Sequence, residues 1–173
     1  DVRIPLKVSG TSPAETIIDA KGLDRAFHLP KDTTGLASLM LESMTIRGGD
    51  TSGTVDRYGG GIFNNSGGNV LLDSVHVTGN HSDYMGGGIV HSTANDSYRR
   101  TQLGLMTIVN SAVTFNTETT AAGGIYVFRG ALVVENSTIS SNMGGIASWG
   151  LEEFFLDVVL NHATVANNTG YDL

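Results

Sequence analysis

Side chains that could do chemistry are concentrated in two short segments of the chain, residues 50–59 and 81–85. Together they hold carboxylates, a guanidinium, an imidazole and phenols: Asp50, Asp56, Arg57, Tyr58, His81, Asp83 and Tyr84. A carboxylate beside a histidine can transfer protons, and Arg and Tyr can orient a polar ligand. If the fold brings the two segments together, we expect a ligand-binding patch there, either sugar-binding or acid–base in character. The alternative is that both are ordinary polar loops.

A repeat in the sequence relates these two segments to each other. Five eight-residue stretches align without gaps, at residues 42–49, 73–80, 109–116, 135–142 and 161–168. Two apolar columns accompany the alignment: Leu41, Leu72, Ile108, Val134 and Leu160, then Ile46, Val77, Val113, Ile139 and Val165. Other apolar residues lie two positions before the first column, and this is the period at which side chains share one face of a strand; the residue two positions before the second column is mostly small. Each repeat is therefore predicted to supply two short strands to one core.

A second motif, Gly-Gly-Ile, recurs at residues 60–62, 87–89, 123–125 and 144–146. Its isoleucine supplies a third inward-facing strand to each repeat. The predicted fold is all-β, a right-handed parallel β-helix: a solenoid of about six to seven coils with three short strands per coil. One such domain spans residues 1–173. In this arrangement residues 50–59 and 81–85 lie at the same corner of successive coils.

The aligned stretches end on asparagine in four repeats, at Asn80, Asn116, Asn142 and Asn168. Asparagine tolerates the left-handed backbone of a tight turn. Stacked at equivalent turns, the four amides can also hydrogen-bond to one another. We therefore predict a structural asparagine ladder rather than a polar binding strip.

The repeat shows no catalytic pattern on its surface. Hydrolases that act on polysaccharides need two or three carboxylates facing one cleft. The acidic column formed by Glu42, Asp73 and Glu135 is interrupted by Val109. The chain has no cysteine and no D-x-D-x-D-G calcium loop. We assign no catalytic residue, no metal ligand and no cofactor.

Composition narrows the classes of partner. The net charge of −7 argues against a nucleic-acid partner, because the phosphate backbone attracts basic surfaces. No apolar run is long enough to span a membrane as a helix. The charged fraction is 16%, and the 23 glycines favour turns and strands over helices.

These motifs resemble those of bacterial surface and secreted β-helix proteins with repeated GGGI and N-S-T-I-S-x-N motifs, such as the polymorphic outer-membrane proteins. The corresponding copies here are GGGIFN, GGGIVH, AGGIYV and, at residues 136–142, NSTISSN. Residues 16–29 (TIIDAKGLDRAFHL) resemble the entry segment of such proteins, with Ala20 in place of the usual glycine. The resemblance implies a secreted protein located outside the cell or on its surface. It leaves the activity open, because these repeats serve adhesins, autotransporter passengers and carbohydrate-active enzymes.

We therefore expect a non-catalytic structural or adhesive protein that presents loops to a protein partner or a cell-surface glycan. The alternatives are a carbohydrate-active domain (polysaccharide lyase, hydrolase or glycan binder) and an accessory subunit docked on a larger assembly. We also expect the chain to be part of a longer stack, because residues 161–168 form a complete repeat without a visible cap. Its ends would then contact further coils or another subunit.

Overall fold

The structure is a computed structural model that describes residues 1–31, 37–92, 104–149 and 157–170. These residues contain no helix, so the described chain has no helix that could cross a membrane. The strands, in chain order, are β1 (Leu6–Ser9), β2 (Ile17–Asp19), β3 (Phe27–Leu29), β4 (Leu39–Arg47), β5 (Ile62–Asn64), β6 (Val70–Thr78), β7 (His81–Ser82), β8 (Ile89–Ser92), β9 (Leu105–Val109), β10 (Ala112–Thr114), β11 (Thr117–Glu118), β12 (Ile125–Phe128), β13 (Ala131–Glu135), β14 (Thr138–Ser140), β15 (Ile146–Trp149), β16 (Val158–Asn161) and β17 (Thr164–Ala166).

The paired strands run parallel and belong to three sheets. The largest has ten strands, with the order β16-β13-β9-β6-β10-β14-β17, and β4 joins β1, β2 and β6 at its side. A second sheet has the order β15-β12-β8-β5-β3, and a third contains only β11 and β7. Strand register follows the sequence repeat, since Leu41 pairs with Leu72, and Leu72 with Ile108.

The prediction of a right-handed parallel β-helix, one solenoid of about six to seven coils with three short strands per coil, is wrong. The strands divide among sheets of ten, five and two, and the largest curves as a parallel half-barrel. The strand count per repeat also varies. Ser43 and Ser74 adopt positive φ, yet β4 and β6 continue through them for nine residues. Pairing resumes at once on both sides of these serines, so the turn residue bends the strand without ending it.

Two apolar columns from the ten-stranded sheet and one from the five-stranded sheet fill the core. Eight of the ten predicted core residues are fully buried: Leu41, Ile46, Leu72, Val77, Ile108, Val113, Val134 and Ile139. Leu160 is 43% exposed and Val165 is half-buried, because among the described strands β16 and β17 pair on one side only. The five-stranded sheet adds the buried side chains Ile62, Ile89, Ile125 and Ile146.

The four repeated asparagines form a continuous hydrogen-bonded ladder. The Nδ2 of Asn80 donates to Oδ1 of Asn116 at 3.0 Å, and Asn116 donates in the same way to Asn142. Asn142 donates to Oδ1 of Asn168 at 3.1 Å. The backbone N–H of each donor residue reaches the same Oδ1 as its side chain, so each junction has two hydrogen bonds. Buried amides are thereby satisfied without water.

A second buried polar network surrounds His91 in the five-stranded sheet. Its Nε2 lies 2.9 Å from the carbonyl oxygen of Gly104, so Nε2 carries the proton and donates it. Its Nδ1 lies 3.0 Å from Nδ2 of Asn64 and therefore accepts. The Oδ1 of Asn64 accepts from Ser66, which fixes the orientation of the amide. Burial lowers the pKa of His91, and the network suits only the neutral ring.

Candidate functional site

Three of the predicted site residues lie together at one corner. The backbones of Asp50 and His81 pair in an isolated parallel bridge. Asp83 Oδ1 lies 3.5 Å from His81 Nε2, and the hydroxyl of Ser52 donates to that oxygen at 3.3 Å. The two segments are therefore neighbours, joined by the backbone bridge and by the hydrogen bond from Ser52 to Asp83.

The groups at this corner are held by the protein itself. His81 Nδ1 lies 2.9 Å from the hydroxyl of Thr117 on the next repeat. Asp50 Oδ1 accepts from the backbone N–H of Ser52 at 2.8 Å, and hydrogen bonds from Ser52 lower the pKa of Asp50. Among the residues that the structure describes, no group of three or more His, Asp or Glu side chains could hold a metal. This corner is suited to fixing the loops to one another.

Asp56 and Arg57 do not join that cluster. Both are exposed, and the contact that Asp56 makes with the rest of the fold runs through its backbone carbonyl, which accepts from Nη2 of Arg25. The Arg25 guanidinium is ion-paired with Asp24 at 3.1 Å and lies 5.3 Å from the centroid of the Phe63 ring. The predicted patch is thus divided into two parts: the hydrogen-bonded corner formed by Asp50, His81 and Asp83, which we call the bonded corner, and the exposed loop that contains Asp56 and Arg57.

Tyr58 and Tyr84 belong to a different feature, a groove of about 290 Å³ on the outer face of the five-stranded sheet. We call it the aromatic groove. Six of its ten lining residues are aromatic, half of the twelve Trp, Tyr and Phe residues in the chain. The lining consists of Tyr58, Phe63, Asn65, Tyr84, Met85, Val90, Ser92, Tyr126, Phe128 and Trp149.

The floor of the aromatic groove is the outward column of the five-stranded sheet. Phe63 pairs in register with Val90, Val90 with Tyr126, and Tyr126 with Ala147. Each follows one of the buried isoleucines, and successive residues of a strand point to opposite faces. Phe63 is 5% exposed and Tyr126 is 7% exposed, because the loop residues pack over them in a second apolar cluster.

Aromatic rings at both ends form the walls. At one end the centroids of Tyr58 and Tyr84 lie 5.3 Å apart, edge to face, and Tyr58 lies 5.5 Å from Phe63. At the other end Phe128 and Trp149 are 5.2 Å apart, and Trp149 remains 57% exposed. These separations are in the range of stabilising ring pairs. The rings therefore hold one another in place, and the exposed part of Trp149 is open to a ligand.

Two glycines explain why the wall loops lie so close to the sheet. Gly59 and Gly86 follow Tyr58 and Met85, with φ of 61° and 63°. A Cβ on Gly59 would stand 2.5 Å from the carbonyl oxygen of Ile62, and one on Gly86 would stand 2.5 Å from that of Ile89. Only glycine permits both this backbone conformation and this approach. The first glycine of the GGGI motif therefore folds each loop back over its own strand.

The aromatic groove carries no formal charge on its described lining. Burial raises the pKa of Tyr58 and of Tyr126, so both phenols stay protonated at neutral pH. Their hydroxyl groups, with the amide of Asn65, can donate and accept hydrogen bonds. The groove thus combines flat apolar surfaces with a few neutral polar groups.

Sequence reasoning identified Tyr58 and Tyr84 but missed Phe63, Tyr126, Phe128 and Trp149. A signal was present, since Phe63 and Tyr126 directly follow the isoleucine of a Gly-Gly-Ile motif and must face away from the core. Comparison with models of known families, with curated proteins and with solved structures finds no match to this chain, so the aromatic groove is interpreted from its own residues.

Proposed function

We propose that this protein is a non-catalytic adhesive protein of the cell surface or the extracellular space that binds carbohydrate in the aromatic groove. The observation that carries the proposal is the concentration of six aromatic side chains in one groove beside neutral hydrogen-bonding groups. Sugar rings present apolar C–H faces that pack on aromatic rings, and hydroxyl rims that need donors and acceptors. Large aromatic side chains around a few placed polar groups are typical of ligand sites.

The non-catalytic part of the proposal rests on what lines the groove. None of its ten lining residues is Asp, Glu or His. Cleavage of a glycosidic bond by a hydrolase needs a pair of carboxylates placed on either side of that bond. A saccharide lying against Tyr84, Phe128 and Trp149 would meet a hydroxyl group and aromatic rings instead. The bonded corner at His81 supplies acids outside the groove lining.

The test is a glycan array followed by calorimetry on the best ligand. Trp149→Ala and Tyr84→Ala should each weaken binding about tenfold or more, because truncating an aromatic anchor removes most of its contact area. Phe115→Ala is the matched control. This ring is 64% exposed and does not line the groove, so its loss should leave affinity unchanged.

Two outcomes would contradict the proposal. One is unchanged saccharide affinity in both groove variants. The other is release of shorter or unsaturated products when the protein is incubated with the polysaccharide that it binds. Such cleavage would require an acid–base pair in contact with the polysaccharide.

A further inference from the structure

We infer that the aromatic groove binds the end of a saccharide chain. The terminal sugar ring enters beside Trp149 and reaches the hydroxyl groups of the groove, and the rest of the chain leaves on the same side. This inference rests on the proposed function and specifies which part of the saccharide is recognised. Four observations carry it: the covered floor, the closed side at β5, the small volume, and three hydroxyl groups without a hydrogen bond in the described chain.

The covered floor excludes a saccharide that runs across the strands. Phe63, Val90 and Tyr126 are 5%, 2% and 7% exposed. Tyr58 and Met85, from the loops before β5 and β8, pack against them in the same apolar cluster. A chain that continued in both directions would need a surface open along its whole length, and these loops interrupt it. The ligand must therefore enter the groove from one side.

The two sides of the groove differ in how far they are covered. At the β5 side three groups surround the Phe63 ring: His28 stacks on it with ring centroids 5.3 Å apart, the Tyr58 ring lies at 5.5 Å, and the Arg25 guanidinium lies 5.3 Å from the centroid. At the β15 side Trp149 is 57% exposed. Within the described chain, the β15 side is therefore the one through which a sugar ring can enter.

The volume of the groove matches a short part of a saccharide. It measures about 290 Å³, at the low end of the range of about 300–1,000 Å³ that is usual for ligand pockets. Such a space holds about one or two sugar rings. The rings that follow must then lie outside the groove, beyond Trp149.

The hydroxyl groups inside the groove match a terminal ring. Burial raises the pKa of Tyr126, and negative charge on Tyr84 or Tyr58 would raise this pKa further, so the three phenols are close neighbours. Their hydroxyl groups make no hydrogen bond within the described chain, and none of them is enclosed. A terminal ring has one hydroxyl more than an internal ring, because one of its linkage positions is unsubstituted. Phenols can donate to such hydroxyls and accept from them, as can the amide of the half-buried Asn65.

The experiment measures affinity and stoichiometry for linear glucans, mannans, xylans and mannuronans, each as a length series from disaccharide to polymer. The acidic mannuronan is included because the Arg129 guanidinium lies 5.3 Å from the centroid of the Phe128 ring. Calorimetry and sedimentation should show one protein molecule per saccharide chain at every length. The affinity per chain should level off at the disaccharide or trisaccharide, because further sugars lie outside the groove.

A variant tests the hydroxyl groups separately. Tyr126→Phe keeps the ring and removes one of the three hydroxyls, so affinity should fall about tenfold at every length, which corresponds to the loss of one hydrogen bond to the ligand. The melting temperature should stay unchanged, because that hydroxyl has no hydrogen bond within the described chain. Ser140→Ala removes a hydroxyl that does not line the groove and is the control, with affinity and melting temperature both unchanged.

Failures of the two proposals are distinguishable. If no saccharide of any series binds, the proposed function is wrong and the inference falls with it. If several protein molecules bind along one polymer, with the number of sites growing with its length, carbohydrate binding stands and recognition of the chain end is overturned. Unchanged affinity in Tyr126→Phe would also overturn the inference, because the terminal ring would then not reach the hydroxyl groups of the groove.

Discussion

In the five-stranded sheet of this protein, the inward-facing residue is the same in every Gly-Gly-Ile repeat, whereas the outward-facing residue next to it varies. The inward column of the five-stranded sheet is isoleucine in every repeat from β5 to β15, and all four side chains are buried. The outward column one residue later is Phe63, Val90, Tyr126 and Ala147, with no two alike. A core built from stacked identical residues packs by repetition, whereas a binding surface needs a shape that changes along its length. In this protein the departures from the repeat mark the candidate site.

The largest expected loss of stability is from a substitution in the asparagine ladder of the repeated interior. Asn116→Ala removes two hydrogen bonds donated by the amide and two accepted by its oxygen. Because these partners are buried, we expect a loss of about 3–5 kcal/mol in the free energy of unfolding, measured by urea denaturation. Asn161→Ala, at an exposed asparagine, is the control and should cost less than about 0.5 kcal/mol. Equal losses would show that the ladder contributes little.

A core truncation should have the next largest effect. Val134 is fully buried and points inward, while Val133 on the same strand is half-buried and points outward. Val134→Ala should lower the free energy of unfolding by about 1–3 kcal/mol, and Val133→Ala by less than about 1 kcal/mol. A reversed order, measured by the same denaturation, would contradict the assignment of the two faces.

Acid should weaken the interior through its histidines. Burial lowers the pKa of His28 to about 4, with a contribution from Arg25, and burial also lowers the pKa of His76 and His91. Below the ordinary value of 6.5 the unfolded chain binds protons that the folded chain does not. Stability is therefore complete above pH 6.5 and decreases as the pH falls toward 4.

This pH dependence can be assigned to the buried network by comparing urea midpoints at pH 7 and pH 5. Protonated His91 would place two donors face to face at the 3.0 Å contact with Asn64. His91→Gln removes that titration and should reduce the difference between the two midpoints. Carboxyl groups with a lowered pKa, such as Asp50, act below 3.8 and do not contribute in this range. An unchanged difference in the variant would exclude His91 as a source.

Smaller stability effects are expected on the recognition face. Trp149→Ala removes a side chain that is 57% exposed, so the free energy of unfolding should fall by less than about 1 kcal/mol even though saccharide affinity falls about tenfold or more. A much larger loss, in the same calorimetric and denaturation measurements, would place Trp149 among the structural residues.

The smallest effect is expected at the exposed loop. Arg57→Ala should change neither stability nor saccharide affinity, because Arg57 is exposed and does not line the aromatic groove. Calorimetry with the best glycan is the measurement. Loss of affinity in this variant would show that the loop of residues 50–59 does contribute to the binding site.

The sequence predicted the features that the repeat constrains. The inward columns that include Leu72 and Ile108 followed from apolar residues at period two, and the asparagine positions followed from their place at the end of each repeat. Sheet division could not be predicted in this way. Ser43 and Asn110 occupy the same position in the repeat and share a positive φ, yet the strand continues through Ser43 and is interrupted at Asn110. After Asn110 the backbone N–H of Ser111 donates to the hydroxyl of Ser137 in the next repeat, a contact between repeats that a local pattern does not report.

The candidate site was predicted only in part for a related reason. Tyr58 and Tyr84 were identified because they lie among charged residues in the sequence. In the fold their partners in the groove are other aromatic residues. Asp50, His81 and Asp83 lie at one corner, where His81 pairs with Asp83 and its backbone pairs with that of Asp50. The aromatic residues that form the groove are separated by up to 91 positions, from Tyr58 to Trp149. Only the register of four strands brings them together.

The glycines behind the wall loops have a consequence for the kinetics of recognition. The loops that end at Gly59 and Gly86 approach the sheet more closely than any other residue would allow, and Tyr58 is held by its backbone bridge to Met85 and by its ring contact with Tyr84, so both tyrosines are already in position when a ligand arrives. Little conformational entropy remains to be lost on association. Binding should therefore be a single fast step whose rate grows linearly with ligand concentration, with differences in affinity among ligands expressed in how long each one stays bound.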